Sequence, residues 1–439
     1  MPGGSGAGPG LIELTAGEVA HGGWCVAREP GGRVVFIRHA LPGERVLARI
    51  TEATAKFARA EAVEIIEASP DRVSAPCPYA GPGGCGGCDW QHASLPAQRR
   101  LKAEVVRQQL RRIAGLQRDV TVEPVAGDSS GLGWRTRVRF AAGPDGTAGL
   151  LRHRSHDVIP IADCLIAHPL IRTASVTGQR WPGARWVEVA VSPGSGERAV
   201  TVSSRPGRHL PPATRAAAAA QEADTVLADR GGRMSAIRGR GYLRQAAAGR
   251  DWRVGAGVFW QGHPGAAAVL TGAVLAALEP QPGDAALDLF CGAGLFAGAL
   301  AAAVGPGGSV TGVEADAAAV RDARHNLRGT PWARIHRGEV AAVLARGGWP
   351  AARLAVLDPP RTGLGRSLIG QLLNPPAADR EAGAAALARI AYVSCDPATL
   401  ARDLAVFGEA GWRLAGLRAF DIFPMTHHVE CVAALTREP

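Results

Sequence analysis

The sequence predicts an α/β protein in three parts: a small antiparallel β-barrel, a mixed α+β middle and a C-terminal doubly wound domain built on a parallel sheet. Three observations predict it. Residues 1–70 alternate apolar and polar positions with period two, broken by turns such as Glu29-Pro-Gly-Gly and Leu41-Pro-Gly-Glu. Residues 71–250 mix a basic helical stretch with strand-like runs. Residues 251–439 alternate continuous apolar runs with Ala/Leu/Arg-rich helical stretches, the pattern of buried parallel strands joined by crossover helices.

The 439 residues are too many for one ordinary domain, and 46% hydrophobic with 20% charged residues excludes a disordered or collagen-like chain. A net charge of +10 makes a polyanion a plausible partner, and the basicity is arginine, because Lys56 and Lys102 are the only lysines. No apolar run reaches the ~18 residues of a membrane span, and no secretory signal is present. A cytoplasmic protein without membrane contact is expected, its eight cysteines reduced unless they bind metal.

In the first part, Leu11-Ile-Glu-Leu, Gly32-Arg-Val-Val-Phe-Ile, Glu44-Arg-Val-Leu-Ala-Arg-Ile and Ala62-Val-Glu-Ile-Ile are the barrel strands. In the second, Leu95 to Ala114 forms a helix carrying Arg99, Arg100, Arg107, Arg111 and Arg112. Trp134-Arg-Thr-Arg-Val-Arg-Phe and Arg185-Trp-Val-Glu-Val-Ala-Val follow as strands, the first with Arg135, Arg137 and Arg139 on one face. In the third, strands are predicted at Ala285–Phe290, Ser309–Glu314, Leu354–Asp358, Ile390–Ser394 and His428–Leu435.

The candidate chemistry lies at the ends of those last strands, where open α/β sheets bind ligands. Asp288-Leu-Phe-Cys-Gly-Ala-Gly is a glycine-rich strand-to-helix turn, and Glu314 ends the next strand at the place where an acid meets ribose hydroxyls. Asp358-Pro-Pro-Arg361 is a rigid extended loop whose carboxylate and guanidinium suit the N–H and carbonyl edge of uracil. Cys395 follows a strand and opens a helix, a position that lowers a thiol pKa. Glu430 would be a general base if it faces the active edge, and a solvated side chain if it faces out. Cys77, Cys85 and Cys88 lie as Cys-x7-Cys-x2-Cys with Cys164 far downstream. That spacing suits an iron–sulfur cluster and a four-thiolate zinc site equally.

Together these motifs resemble the RNA uracil-C5-methyltransferase family over nearly the whole chain, most specifically in Asp358-Pro-Pro-Arg, Ser394-Cys395-Asp-Pro-Ala-Thr-Leu-Ala-Arg-Asp and Phe423-Pro-x-Thr-x-His-Val-Glu430. The resemblance implies a Rossmann-like S-adenosylmethionine methyltransferase domain at 251–439, a TRAM/OB-like RNA-binding barrel at 1–70 and a central domain at 71–250. It makes Cys395 the nucleophile and Glu430 the base. Gln261 (in Phe259-Trp-Gln261), Phe290, Glu314 and Asp358 become cofactor-site residues, with Asp358 and Arg361 toward the uracil. It matches Cys77, Cys85, Cys88 and Cys164 to the 4Fe-4S ligands of the 23S rRNA branch, which favours iron–sulfur over zinc. His263, where asparagine is common, and the long first cysteine gap depart from the family pattern. The expected activity is C5 methylation of a uridine in RNA, 23S rRNA first and tRNA second, by a monomer. The arginine strand and barrel would bind RNA backbone. A catalytically inert RNA-binding iron–sulfur protein and an amino-group methyltransferase are the competing classes. The joint presence of Cys395, Glu430 and Gln261 argues against the first, and Arg361 in place of an aromatic against the second.

Overall fold

A computed structural model describes residues 10–127, 130–347, 352–374 and 387–437. Strands β1 (Leu11–Thr15), β2 (Val19–Ala20), β3 (Trp24–Arg28), β4 (Val34–Arg38), β5 (Arg45–Ala53) and β6 (Phe57–Glu67) form one sheet in the order β1-β5-β6-β4-β3-β2. Its alternation puts Val35, Ile37, Val46, Ala48, Ala58 and Ala60 inside, each almost wholly buried.

Helix α1 (Leu95–Ala114) opens with Ser94, whose hydroxyl accepts the Ala97 N–H, and ends at Gly115 in the left-handed conformation. β7 (Val122–Pro124) follows. The middle sheet is β8 (Arg137–Ala142), β9 (Ala148–Leu151), β10 (Val158–Pro160), β11 (Ala184–Val191), β12 (Arg198–Ser204), β13 (Thr225–Arg230) and β14 (Arg233–Arg238), in the order β10-β9-β8-β11-β12-β13-β14. The helices α2 (Pro169–Arg172) and α3 (Pro212–Ala219) belong to this region, and the hairpin β15 (Tyr242–Ala247) and β16 (Arg250–Gly255) leads out of it.

The C-terminal region carries α4 (Ala266–Leu278), β17 (Ala285–Leu289), α5 (Leu295–Val304), β18 (Ser309–Glu314), α6 (Ala317–Asn326), β19 (Ala333–Arg337), α7 (Val340–Arg346) and β20 (Leu354–Leu357). It continues with α8 (Gly365–Leu373), β21 (Arg389–Ser394), α9 (Pro397–Glu409), β22 (Trp412–Asp421) and β23 (Glu430–Arg437). The sheet order is β19-β18-β17-β20-β21-β23-β22-β7, parallel through β21. The sequence predicts a wholly parallel sheet, and the structure differs at one edge: β23 runs antiparallel to both β21 and β22, because a tight return through residues 422–429 replaces a crossover helix. β7, from the middle of the chain, then pairs with β22. The chain leaves β17 toward β18 on one side and returns to β20 on the other, so the cleft lies above the carboxyl ends of these strands. One hydrophobic cluster fills each face of the sheet, with Leu270, Leu300 and Val356 in one and Leu357, Tyr392 and Phe407 in the other. No helix among the described residues is long and apolar enough to cross a membrane.

Candidate active site

The turn after β17 is built for close approach to a ligand. Phe290 takes a positive φ of 70°, a costly conformation for an aromatic residue, held by Phe290 and Cys291 N–H groups that both donate to the Val313 carbonyl at 3.0 Å. Glu314, at the end of β18, accepts the Gly292 N–H at 3.0 Å and the Asp316 N–H at 2.7 Å, which ties the two strand ends together. Beneath them Asp288 is fully buried and accepts the Ala297 N–H at 2.6 Å, while its second oxygen has no partner. Burial pushes this carboxyl up to about 8. Gln261, in the segment before α4, is buried and held by Thr136: the Thr136 N–H donates to the Gly262 carbonyl at 2.9 Å and its hydroxyl to the Gln261 carbonyl at 3.4 Å.

The second half of the site follows from strand register. In the antiparallel pair β21 and β23, Ser394 faces Cys431, so one residue further along Cys395 lies beside Glu430. Glu430 is only 6% exposed, and its side chain faces into the site rather than outward. Arg361, Glu430 and Asp358 all act on the Cys395 thiol electrostatically. The loop that carries Asp358 and Arg361 is anchored by buried Asp403, which accepts the Leu364 N–H at 2.7 Å and the Tyr392 hydroxyl at 2.7 Å. Gly363, at φ 74°, has no room for a side chain: a Cβ would come within 2.5 Å of an Asp403 oxygen.

The electrostatics correct one expectation. Position at a helix start predicts a lowered Cys395 pKa. The structure instead makes Asp396 the N-cap of α9, with its side chain accepting the Thr399 N–H at 2.8 Å, and leaves Cys395 outside the first turn. Burial first, then the Glu430 carboxyl, push the thiol up to about 11, and Arg361 draws it partly back. Burial likewise pushes Asp358 up to about 7 and raises Glu430 well above the ordinary carboxylate range, against the pull of Arg361. The dry site thus shifts Asp288, Asp358 and Glu430 toward their protonated forms.

Sequence reasoning passed over the groups behind this cluster. Helix α1 turns polar side chains inward: Lys102 is fully buried, 2.5 Å from Asp421 and donating to the Phe423 carbonyl at 2.9 Å. Gln98 accepts the Met425 N–H at 2.8 Å, fixing Met425 at φ 67°. These contacts set the path of residues 423–429 into Glu430. His428, neutral because burial and the cations around it pull its pKa down to about 3, accepts from Arg361 at 3.4 Å. The histidines were visible in the Phe423–Glu430 motif, but nothing local gave them a role.

The arginine strand also makes contacts within the protein. Arg137 pairs with Glu188 at 2.9 Å and donates to the Val258 carbonyl at 2.6 Å, so it clamps the segment leading to Gln261. Arg139 shares Glu188 and lies over the Trp186 ring. Glu188 on the neighbouring strand contacts both guanidinium groups and offsets one of the two charges, and Arg135 turns elsewhere, toward the cysteines.

Cys77, Cys85, Cys88 and Cys164 line one cavity with Arg135 and Gln91. Burial raises the thiols of Cys85, Cys88 and Cys164, while the Gly87 N–H meets the Cys85 sulfur at 3.3 Å. Among the described residues, no three His, Cys, Asp or Glu side chains stand close enough to hold a single metal ion.

Comparison with known proteins agrees with this architecture. A TRAM domain model matches residues 12–63, and a tRNA (uracil-5-)-methyltransferase model matches residues 351–438. An RNA methyltransferase of Streptomyces avermitilis is 50% identical, over 96% of this chain and 97% of its own. One from Corynebacterium efficiens is 33% identical over 97% and 94%. The solved tRNA (uracil-54, C5)-methyltransferase of Pyrococcus abyssi, in complex with S-adenosyl-L-homocysteine, superposes with a TM-score of 0.69 at 22% identity, over 96% of this chain and all of its own, and so shares the fold. The chain belongs to the S-adenosylmethionine-dependent RNA uracil-C5-methyltransferase family and carries that family's catalytic domain behind an N-terminal TRAM domain.

Proposed function

We propose that the protein methylates C5 of a uridine by covalent catalysis, with Cys395 as nucleophile and Glu430 as base. The observation that carries this is the register of β21 and β23, which sets thiol and carboxyl side by side with Arg361 and Asp358 against them. Uracil C5 is too weak a nucleophile to take a methyl group unaided. The Cys395 thiol gives its proton to water and its sulfur adds to C6, pushing electron density through C5 toward the C4 carbonyl oxygen. Arg361 stabilises the thiolate and the developing oxyanion, and Asp358 orients the ring through its N–H edge. S-adenosylmethionine supplies the electrophilic methyl group that C5 takes up. Glu430, ionised once the ring and cation are in place, removes the C5 proton, and the electron pair left behind expels the Cys395 thiolate from C6. Gln261, Phe290 and Glu314 would hold the donor along the β17–β18 edge, where Glu314 suits ribose hydroxyls.

The four cysteines gather on one cavity in the pattern the family's cluster-bearing branch uses, and we assign them to an iron–sulfur cluster, with zinc as the alternative. Cys77, Cys85, Cys88 and Cys164 would hold the cluster at the cavity they share, where the Gly87 N–H points at the Cys85 sulfur, and the cluster would brace the central region. We assign residues 1–70 to RNA binding, 71–250 to the cluster-bearing domain and 251–439 to catalysis, in a cytoplasmic monomer acting on 23S rRNA. tRNA is the second reading, and mapping 5-methyluridine in both RNAs from a deletion strain separates them.

Two variants test the chemistry. Cys395→Ala should abolish methylation. Glu430→Gln should accumulate a methylated RNA–protein adduct, because the C5 proton stays on. Full turnover by the alanine variant would refute the covalent route. For the cavity, Cys88→Ser should remove iron and sulfide from anaerobically purified protein, and a zinc-loaded wild type would count against the cluster.

A further inference from the structure

We propose that the β2–β3 turn of the barrel is a positioning element of the catalytic site, with His21 holding Asp396 and, through it, Cys395. A domain that only gathers RNA has no need to touch the reacting loops, yet this one turn touches both. His21 Nε2 lies 3.3 Å from Asp396 Oδ2. The other Asp396 oxygen caps α9, and its backbone N–H meets the Ser394 hydroxyl at 3.2 Å, so this carboxylate sets the turn on which Cys395 sits. Two residues on, Gly23 is buried at φ 81° against the loop that leads to Glu430. A Cβ there would lie 2.9 Å from the His427 Cβ and 3.2 Å from the Asp89 Cβ.

The turn is held from behind. The Trp90 indole N–H donates to the Gly23 carbonyl at 3.2 Å. Arg38, at the end of β4, binds Asp89 at 3.1 Å, and Asp89 binds His427 Nδ1 at 2.5 Å. The barrel thus grips the thiol loop through His21 and the base loop through Gly23, and a change in barrel position moves the two reacting groups together. Methylation needs them converged on one ring, where small misplacements cost rate rather than binding.

This inference rests on the covalent reading, so its test runs beside Cys395→Ala. The His21→Ala and His21→Gln variants are assayed for kcat, for KM and for the rate of adduct formation with 5-fluorouridine RNA at saturation. His21→Ala should lower kcat and the adduct rate about three- to fivefold, the size an exposed charged pair can exert, with KM for RNA unchanged. His21→Gln, whose amide nitrogen reaches the same place, should restore most of the rate. Wild-type kcat in His21→Ala, or a change confined to KM, overturns the proposal and leaves the covalent reading standing if Cys395→Ala is dead. An active Cys395→Ala brings both down.

Discussion

Iodoacetamide should alkylate Cys395 of the free protein slowly, at a rate that climbs tenfold per pH unit from about pH 7 to about pH 10 without levelling off. The thiolate is the reacting form, and burial with the neighbouring carboxyls lifts this thiol from an ordinary 9.0 to about 11. Two units leave about 100-fold less thiolate than an unperturbed cysteine would have at neutral pH. Limited access to the half-buried sulfur lowers the rate at every pH alike, so the position of the pH profile reports the thiol and the absolute rate does not. Arg361→Met removes the one cation that opposes this rise, and should slow alkylation about tenfold further at a given pH, the low end of what an adjacent opposite charge does. The assay follows the mass of the Cys395 peptide over time, which separates it from the seven other cysteines. A rate that levels off below about pH 9, or an Arg361→Met variant that reacts faster than wild type, would refute the reasoning.

The other predictions concern stability. Asp288 has a folded pKa of about 8 against an ordinary 3.8, so its contribution is full below about pH 4 and is lost as pH rises through 8; Asp288→Asn should flatten the fall of the thermal midpoint between about pH 5 and about pH 8. Lys102→Met leaves buried Asp421 with only the longer 3.9 Å contact to Arg99 and should cost about 3 kcal/mol in urea unfolding, most of it recovered by Lys102→Met with Asp421→Leu. Gly363→Ala forces a Cβ against Asp403 and Thr399 in the loop bearing Asp358 and Arg361, and should cost about 1–3 kcal/mol by the same measurement.

Which parts were legible in the sequence follows from where the signal sits. Leu287, Val310, Val356 and Val393 lie in strands buried on both faces, so each reads as a continuous apolar run and its end marks the cleft. β22 carries Arg413, Gly416 and Arg418, and β19 carries Arg334 and Arg337; their exposed positions hide the strand pattern. β7 is only three residues long and owes its place to β22, distant in sequence. The motifs named Cys395 and Glu430, but their adjacency depends on the pairing of β21 with β23, which no local pattern encodes. For the same reason the helix-start argument misjudged the thiol: a capping Asp396 and two buried acids outweigh a nearby helix end. The pairing of Arg137 and Arg139 with Glu188 depends on β8 lying beside β11, which no local pattern encodes. Lys102, Gln98 and His428 act on residues up to 327 positions away, beyond any window of the sequence.

The most direct test of the central claim is to incubate the protein and S-adenosylmethionine with RNA carrying 5-fluorouridine and map the product. Fluorine cannot leave C5 as a proton, so Glu430 cannot complete the reaction and the sulfur stays bonded to C6. A denaturation-resistant complex cross-linked at the Cys395 peptide and carrying the transferred methyl group is the predicted result. Methyl transfer to normal RNA with no such complex, or a cross-link at any other residue, would contradict the account.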